Sequence, residues 1–262
     1  MPQIEFRQQS LYYTIAGDGP PVVLLHGFCS DHRVWESIVP GLRGQYRVIT
    51  PDLPGCGRSD LPAALRISLM ADAVVRLLDA LGVATAPVIG HSMGGYVALE
   101  VAARHPGRLS ALGLVHSHPF ARVNDEEPAV RRRSIAFMER YGAALFVKQS
   151  IPAAFAPGYP DRLEVEKQTY RALETPTAGL VACQRAMLHR AAHTATLSAC
   201  PVPVLQIHGR HDAVVPTAIQ EAMSILAPQT TVHWLGAAGH FGPAEAPKAV
   251  SRLVRQFLAG IN

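Results

Sequence analysis

Apolar and polar positions along this chain follow two periods, and the two take turns. Residues 4–8 and 11–16 alternate with a period of two and predict an opening pair of strands. Residues 22–26 and 46–51 are short apolar runs, as expected of strands buried on both faces of a parallel sheet. Ile67, Met70, Val74, Leu77, Leu78 and Leu81 then recur at helical spacing, and Gly82 stops that helix. A strand over residues 87–91 runs straight into a helix from Met93 to about His105, and residues 109–115 form the next strand. The rhythm returns late in the chain. Strands are predicted over residues 202–208 and 231–235, with a helix over 217–226 between them. A last helix places Val250, Leu253, Val254, Phe257 and Leu258 on one face.

Between these two stretches the alternation breaks. Residues 117–199 contain no buried-strand run, but much Ala, Arg and Glu at helical spacing. The pattern predicts an α/β fold: a mostly parallel, eight-stranded sheet with helices on both faces, and a helical insertion. The core would comprise residues 1–116 and 200–262, with residues 117–199 as a cap. Internal repeats and low-complexity linkers are absent.

Composition narrows the class. With 48% apolar residues the chain can bury a large core. The net charge is only +4 and the arginines are scattered, which argues against a nucleic-acid or membrane partner. The one tight basic run, Arg131-Arg132-Arg133, follows Asp125-Glu126-Glu127 and is expected to be a solvated helix face. No apolar run approaches the ~20 residues that cross a bilayer. The first residues are polar and do not resemble a secretion signal. Cys29, Cys56, Cys183 and Cys200 show no CxxC spacing and are expected to be free thiols in a reducing compartment, the cytoplasm.

The chemistry starts at Gly90-His91-Ser92-Met93-Gly94, a G-x-S-x-G run between a predicted strand and a predicted helix. Such a turn leaves a serine hydroxyl exposed, with a helix N-terminus behind it that favours developing negative charge. A hydroxyl is a poor nucleophile until a base takes its proton. Of twelve histidines, His240 follows the last strand and lies in a glycine-flanked loop, where an imidazole can reach Ser92. His26, His91, His208 and His211 adjoin motif residues and are expected to pack. Asp212 follows the strand at residues 202–208 and projects from its carboxyl end, where sites in open α/β sheets lie. Asp125, beyond the preceding strand, is the rival acid. A tetrahedral intermediate also needs two backbone N–H donors, and Met93 and Phe28 are placed to supply them.

These runs, together with Leu25-His26-Gly27-Phe28 and Pro51-Asp52-Leu53-Pro54-Gly55-Cys56-Gly57-Arg58-Ser59, resemble the α/β-hydrolase superfamily in its lidded, esterase-like branch. The order Ser, Asp, His is the order of that fold. The resemblance implies a triad of Ser92, Asp212 and His240, oxyanion donors Phe28 and Met93, and a helical cap at residues 117–199. It implies hydrolysis of a small to medium carboxylic ester through an acyl-enzyme, with a small-molecule ester as partner and no cofactor.

Rival chemistries sort by residue. Dehalogenases and epoxide hydrolases of this fold use an aspartate where Ser92 stands. Carbon–carbon bond hydrolases commonly carry Asn before the serine, where this chain has His91. Lactones and thioesters remain open on the same triad, as does a ligand receptor that retains the triad without turnover. His116 and His118 lack a nearby carboxylate or cysteine in sequence and form a weak metal set, so no metal is expected. His118 and Cys29 are expected to line the substrate pocket.

Overall fold

A computed structural model describes residues 2–261. The chain opens with β1 (Gln3–Phe6) and β2 (Gln9–Ala16), an antiparallel hairpin. Arg7 and Gln8 form its turn with φ of 51° and 64°, so the first strand stops at Phe6, short of the expected residue 8. A two-residue hairpin needs such left-handed backbone to match the strand twist. Next come β3 (Pro21–Leu25), β4 (Arg47–Pro51), α1 (Ile67–Ala80), β5 (Ala86–His91), α2 (Met93–Arg104) and β6 (Leu109–Val115). The stretch expected to be an insertion holds α3 (Glu127–Tyr141), α4 (Ala144–Ala154), α5 (Arg162–Leu173), α6 (Thr177–Leu188) and α7 (Thr194–Ser198). The chain ends with β7 (Val204–Gly209), α8 (Thr217–Ser224), β8 (Thr230–Leu235), α9 (Gly242–Glu245) and α10 (Pro247–Ala259).

The eight strands form one sheet in the order β1-β2-β4-β3-β5-β6-β7-β8. From β4 to β8 every pairing is parallel. The chain leaves β3 for β4 on one side and returns to β5 on the other. The carboxyl ends of β3 and β5 therefore lie side by side, with Leu25 opposite Gly90. That is the switch point at which open α/β sheets place their sites.

Alternate strand residues feed two cores. Val23, Leu25, Val88, Leu112 and Leu114 join the layer under α1 and α2. Val22, Leu24, Ile89, Val115, Leu205 and Ile207 join the opposite layer with Trp35 and the apolar face of α10. Burial on both faces is why these strands read as continuous apolar runs. Each such side chain contributes roughly 1.5–3 kcal/mol on burial. A third, smaller core joins Ile135, Met138, Val147, Ile151, Leu180 and Val181 of the middle helices to Cys29 and Phe241. It fastens those helices over the switch point.

Candidate active site

Ser92 stands at the β5–α2 junction with φ 50° and ψ −115°. A non-glycine residue held there costs roughly 1–3 kcal/mol and persists only where its surroundings fix it. Ser92 N–H donates to the Val115 carbonyl (2.9 Å) and the Ser117 hydroxyl donates to the Ser92 carbonyl (2.8 Å). The glycines of the motif permit the close approach. A Cβ on Gly90 would lie 2.2 Å from the Gly94 carbonyl carbon, and one on Gly94 would lie 2.5 Å from the Leu25 carbonyl oxygen.

His240, in the loop between β8 and α9, places Nε2 at 2.8 Å from Ser92 Oγ. Its Nδ1 lies 2.9 Å from Asp212 Oδ2 and 3.1 Å from Oδ1. Asp212, in the loop after β7, accepts from Val214 N–H and Val215 N–H through Oδ1, both at 2.8 Å. Burial pushes the Asp212 carboxyl up, but His240 and His116 outweigh it and hold the group well below the usual carboxylate range. An ionised carboxylate only accepts, so His240 must donate from Nδ1. Its Nε2 is then the acceptor for the serine proton, the state a general base needs. Asp125 lies elsewhere. Its side chain is 92% exposed and pairs with Arg122.

Several supports were not legible in the sequence. His116, at the carboxyl end of β6 with φ 49°, brings Nδ1 to 3.2 Å from Asp212 Oδ2. His116, Asp212 and His240 offer ligand-type atoms within 4.8 Å of one another, and hydrogen bonds donated from both Nδ1 atoms to Asp212 account for that closeness. His91 donates from Nε2 to the His240 carbonyl (2.8 Å), and burial followed by its histidine neighbours keeps the ring neutral. His240 N–H donates to the Ala154 carbonyl at the end of α4 (2.8 Å). The Glu245 carboxylate accepts from Gly239, Phe241 and Ala156 N–H, each at 2.9 Å. The His240 loop is thereby tied to the end of α4. His211, expected to pack, is exposed because its turn points outward beyond β7.

A cavity of about 310 Å³ opens over Ser92 and His240, walled chiefly by Phe28, Phe146, Ile151, Met187 and Phe241. The N–H groups of Phe28 and Met93 have no acceptor among the described residues. The loop carrying Phe28 runs close to Ser92, since a Cβ on Gly27 would lie 3.1 Å from the serine Cβ. Cys29 and His118 both line the cavity. Burial pushes the Cys29 thiol up, so it stays protonated. His118 accepts from Phe120 N–H at Nδ1 (3.2 Å) and donates from Nε2 to Tyr96 Oη (2.9 Å). Burial and then Arg190 lower its pKa to about 3, so the ring is neutral. Tyr96, Glu127, Arg131 and Gln184 also line the cavity. Of the basic run, Arg132 and Arg133 are solvated as expected, but Arg131 is not. It faces inward because Glu127, one helical turn earlier, and Gln184 on α6 both accept hydrogen bonds from it at 2.7 Å.

The profile of the alpha/beta hydrolase fold family matches residues 20–247, and the chain belongs to that family. It is 31% identical over 250 residues to the pimeloyl-[acyl-carrier protein] methyl ester esterase of Aeromonas hydrophila, covering 92% of this chain and 96% of that protein. Among solved structures, a thermophilic esterase from Thermogutta terrifontis, in its malate-bound form, superposes with a TM-score of 0.92 at 31% identity. That match covers 97% of this chain and 94% of the other. The enol-lactonase from Burkholderia xenovorans LB400 gives a TM-score of 0.91 at 25% identity, covering 98% and 100%. No described helix is long and apolar enough to cross a membrane.

Proposed function

We propose that this hydrolase cleaves a small to medium carboxylic ester through an acyl-enzyme. The observation that carries the reading is the continuous hydrogen-bond chain from Ser92 Oγ through His240 to Asp212 (2.8 and 2.9 Å), set at the base of a partly open, mostly apolar cavity. Ser92 Oγ attacks the ester carbonyl while His240 Nε2 takes its proton. Asp212 holds the imidazole in the required tautomer and stabilises the imidazolium that forms. The oxyanion is received by the N–H groups of Phe28 and Met93, which have no acceptor among the described residues and need no reorganisation. His240 returns its proton to the departing alcohol, and water then repeats the sequence on the acyl-enzyme. The protein needs no cofactor for any of these steps.

Residues 117–199 act in this scheme as a cap that closes the cavity and bounds substrate size, and Cys29 and His118 are part of the substrate wall. Four unpaired cysteine thiols are compatible with a cytoplasmic site of action. The ester-cleaving names of the similar proteins support the same chemistry.

A fluorophosphonate probe followed by peptide mapping tests the assignment. Label is expected on Ser92 alone, with p-nitrophenyl ester turnover abolished in Ser92→Ala at an unchanged thermal melt. Label elsewhere, or Ser92→Ala activity within about tenfold of wild type, overturns it.

A further inference from the structure

The cavity is not apolar throughout, and its polar groups do not cancel. Glu127, Arg131 and Arg190 form a cluster whose side chains are 11%, 15% and 3% exposed. Glu127 Oε1 accepts from Arg131 Nε (2.7 Å) and Arg190 Nη1 (3.0 Å). Its Oε2 accepts from Arg190 Nη2 (3.2 Å) and Val123 N–H (2.6 Å). The accepting capacity of that carboxylate is therefore taken up. Burial pushes it up, but the arginines hold it at about 2, so it is ionised. Two guanidiniums thus share one carboxylate, and one positive charge is left over.

Two donors are left over as well. Arg131 gives Nη1 to Gln184 Oε1 (2.7 Å), while its Nη2 has no acceptor among the described residues. Tyr96 Oη accepts from His118 Nε2, because His118 Nδ1 already accepts from Phe120 N–H. The phenolic hydrogen of Tyr96 consequently has no acceptor among the described residues either. Both side chains line the same cavity as Ser92. A purely aliphatic substrate would cover these donors and leave them unsatisfied, whereas a carboxylate would satisfy both and neutralise the excess charge.

We propose that Arg131 and Tyr96 form a carboxylate subsite, and that the preferred substrates are esters carrying a second, ionised carboxylate, such as half-esters of dicarboxylic acids. The proposal rests on the esterase reading of Ser92. It also assigns Arg131 a role that packing alone does not: discriminating charged from neutral esters of one shape.

The test compares kcat/KM within isosteric pairs. Monomethyl adipate against its neutral amide, methyl 6-amino-6-oxohexanoate, carries the group on the acyl side. The 6-acetoxyhexanoate anion against 6-acetoxyhexanamide carries it on the alcohol side. Wild type is expected to favour the charged member of one pair by ~10- to 100-fold, the range of a charge-assisted hydrogen bond. Arg131→Met should collapse that ratio, Arg131→Lys should keep part of it, and Tyr96→Phe should reduce it. Equal or better turnover of the neutral member in both pairs overturns the subsite, as does an Arg131→Met variant that is folded and keeps the ratio. Calorimetric titration of Ser92→Ala with monomethyl adipate and its amide separates the two readings. Preferential binding of the anion without wild-type turnover leaves the subsite standing and removes the esterase reading. Equal affinities, with turnover intact, do the reverse.

Discussion

The floor and the roof of the cavity are built by different physics. On the floor, Ser92, Asp212 and His240 each leave the carboxyl end of a parallel strand or the loop after one, and each is held by several hydrogen bonds at once. Ser92 sits in strained backbone pinned to Val115 and Ser117, and Asp212 accepts from two backbone N–H groups and two histidines. The roof is a set of helices on a smaller core shared with Cys29, Phe241 and Ala244, and several of its large apolar side chains stay uncovered. Tyr141, Leu145, Leu163 and Tyr170, all in that segment, are 54–76% exposed. The roof is joined to the floor by backbone contacts from Ala154 to His240 and Ala156 to Glu245, and at its outer edge by ion pairs of Glu174 with Arg33 and of Lys167 and Arg171 with Glu36. A floor with one permitted geometry suits a fixed reaction. A roof that turns an unsatisfied Arg131 donor toward the cavity suits the choice of substrate.

That contrast implies that floor substitutions should change rate, and roof substitutions should change what is turned over. The largest effect is expected for Asp212→Asn. The amide would leave His240 without the acceptor that sets its tautomer, and kcat should fall by up to ~10⁴-fold, as for the equivalent change in serine proteases, with the fold kept. Steady-state kinetics beside a circular dichroism melt checks this. If Asp125→Asn proved the more damaging of the two, the acid would have to be reassigned.

A smaller effect, on profile rather than rate, is expected from the roof. For wild type, kcat/KM over p-nitrophenyl esters should rise through short acyl chains, peak at or below medium length, and fall by palmitate. Each methylene adds ~0.8 kcal/mol of burial until the wall is met. Ile151→Trp should move that peak to shorter chains, because overpacking costs ~1–3 kcal/mol, while short esters are spared. A steady climb to palmitate in wild type would show that the roof does not close the cavity.

The smallest expected effect concerns acid stability. The Glu127 carboxyl lies at about 2 against an ordinary 4.5, so its stabilising contribution is present above its ordinary value and is lost as pH falls toward its folded one. The Tm gap between wild type and Glu127→Gln should therefore narrow between about pH 5 and pH 2.5. A gap that stays constant over that window would mean the Glu127–arginine cluster does not set the acid limb.

Much of the floor's local structure is legible in the sequence. The glycines around Ser92, the strand-then-helix pattern and the late Gly239-His240 pair are local signals, and each has a local physical cause. The edges were less sharp. The first strand ends at Phe6 because of turn geometry that two glutamine-like and basic residues do not advertise. His116 was legible only as a weak metal candidate, since nothing in its neighbourhood announces a carboxylate 96 residues later.

By itself, the sequence determined the alternation of buried strands and helices, the strained serine turn, and the order in which Ser92, Asp212 and His240 leave the sheet. These follow from backbone sterics and from side-chain periods that act over a few residues. The tertiary structure alone decided which way Arg131 turns, that His116 shares Asp212 with His240, and that Tyr96 faces the cavity. Those outcomes join residues up to about a hundred positions apart across helix faces. A hydrophobic period tells that a helix has a buried side, but not which neighbour meets it.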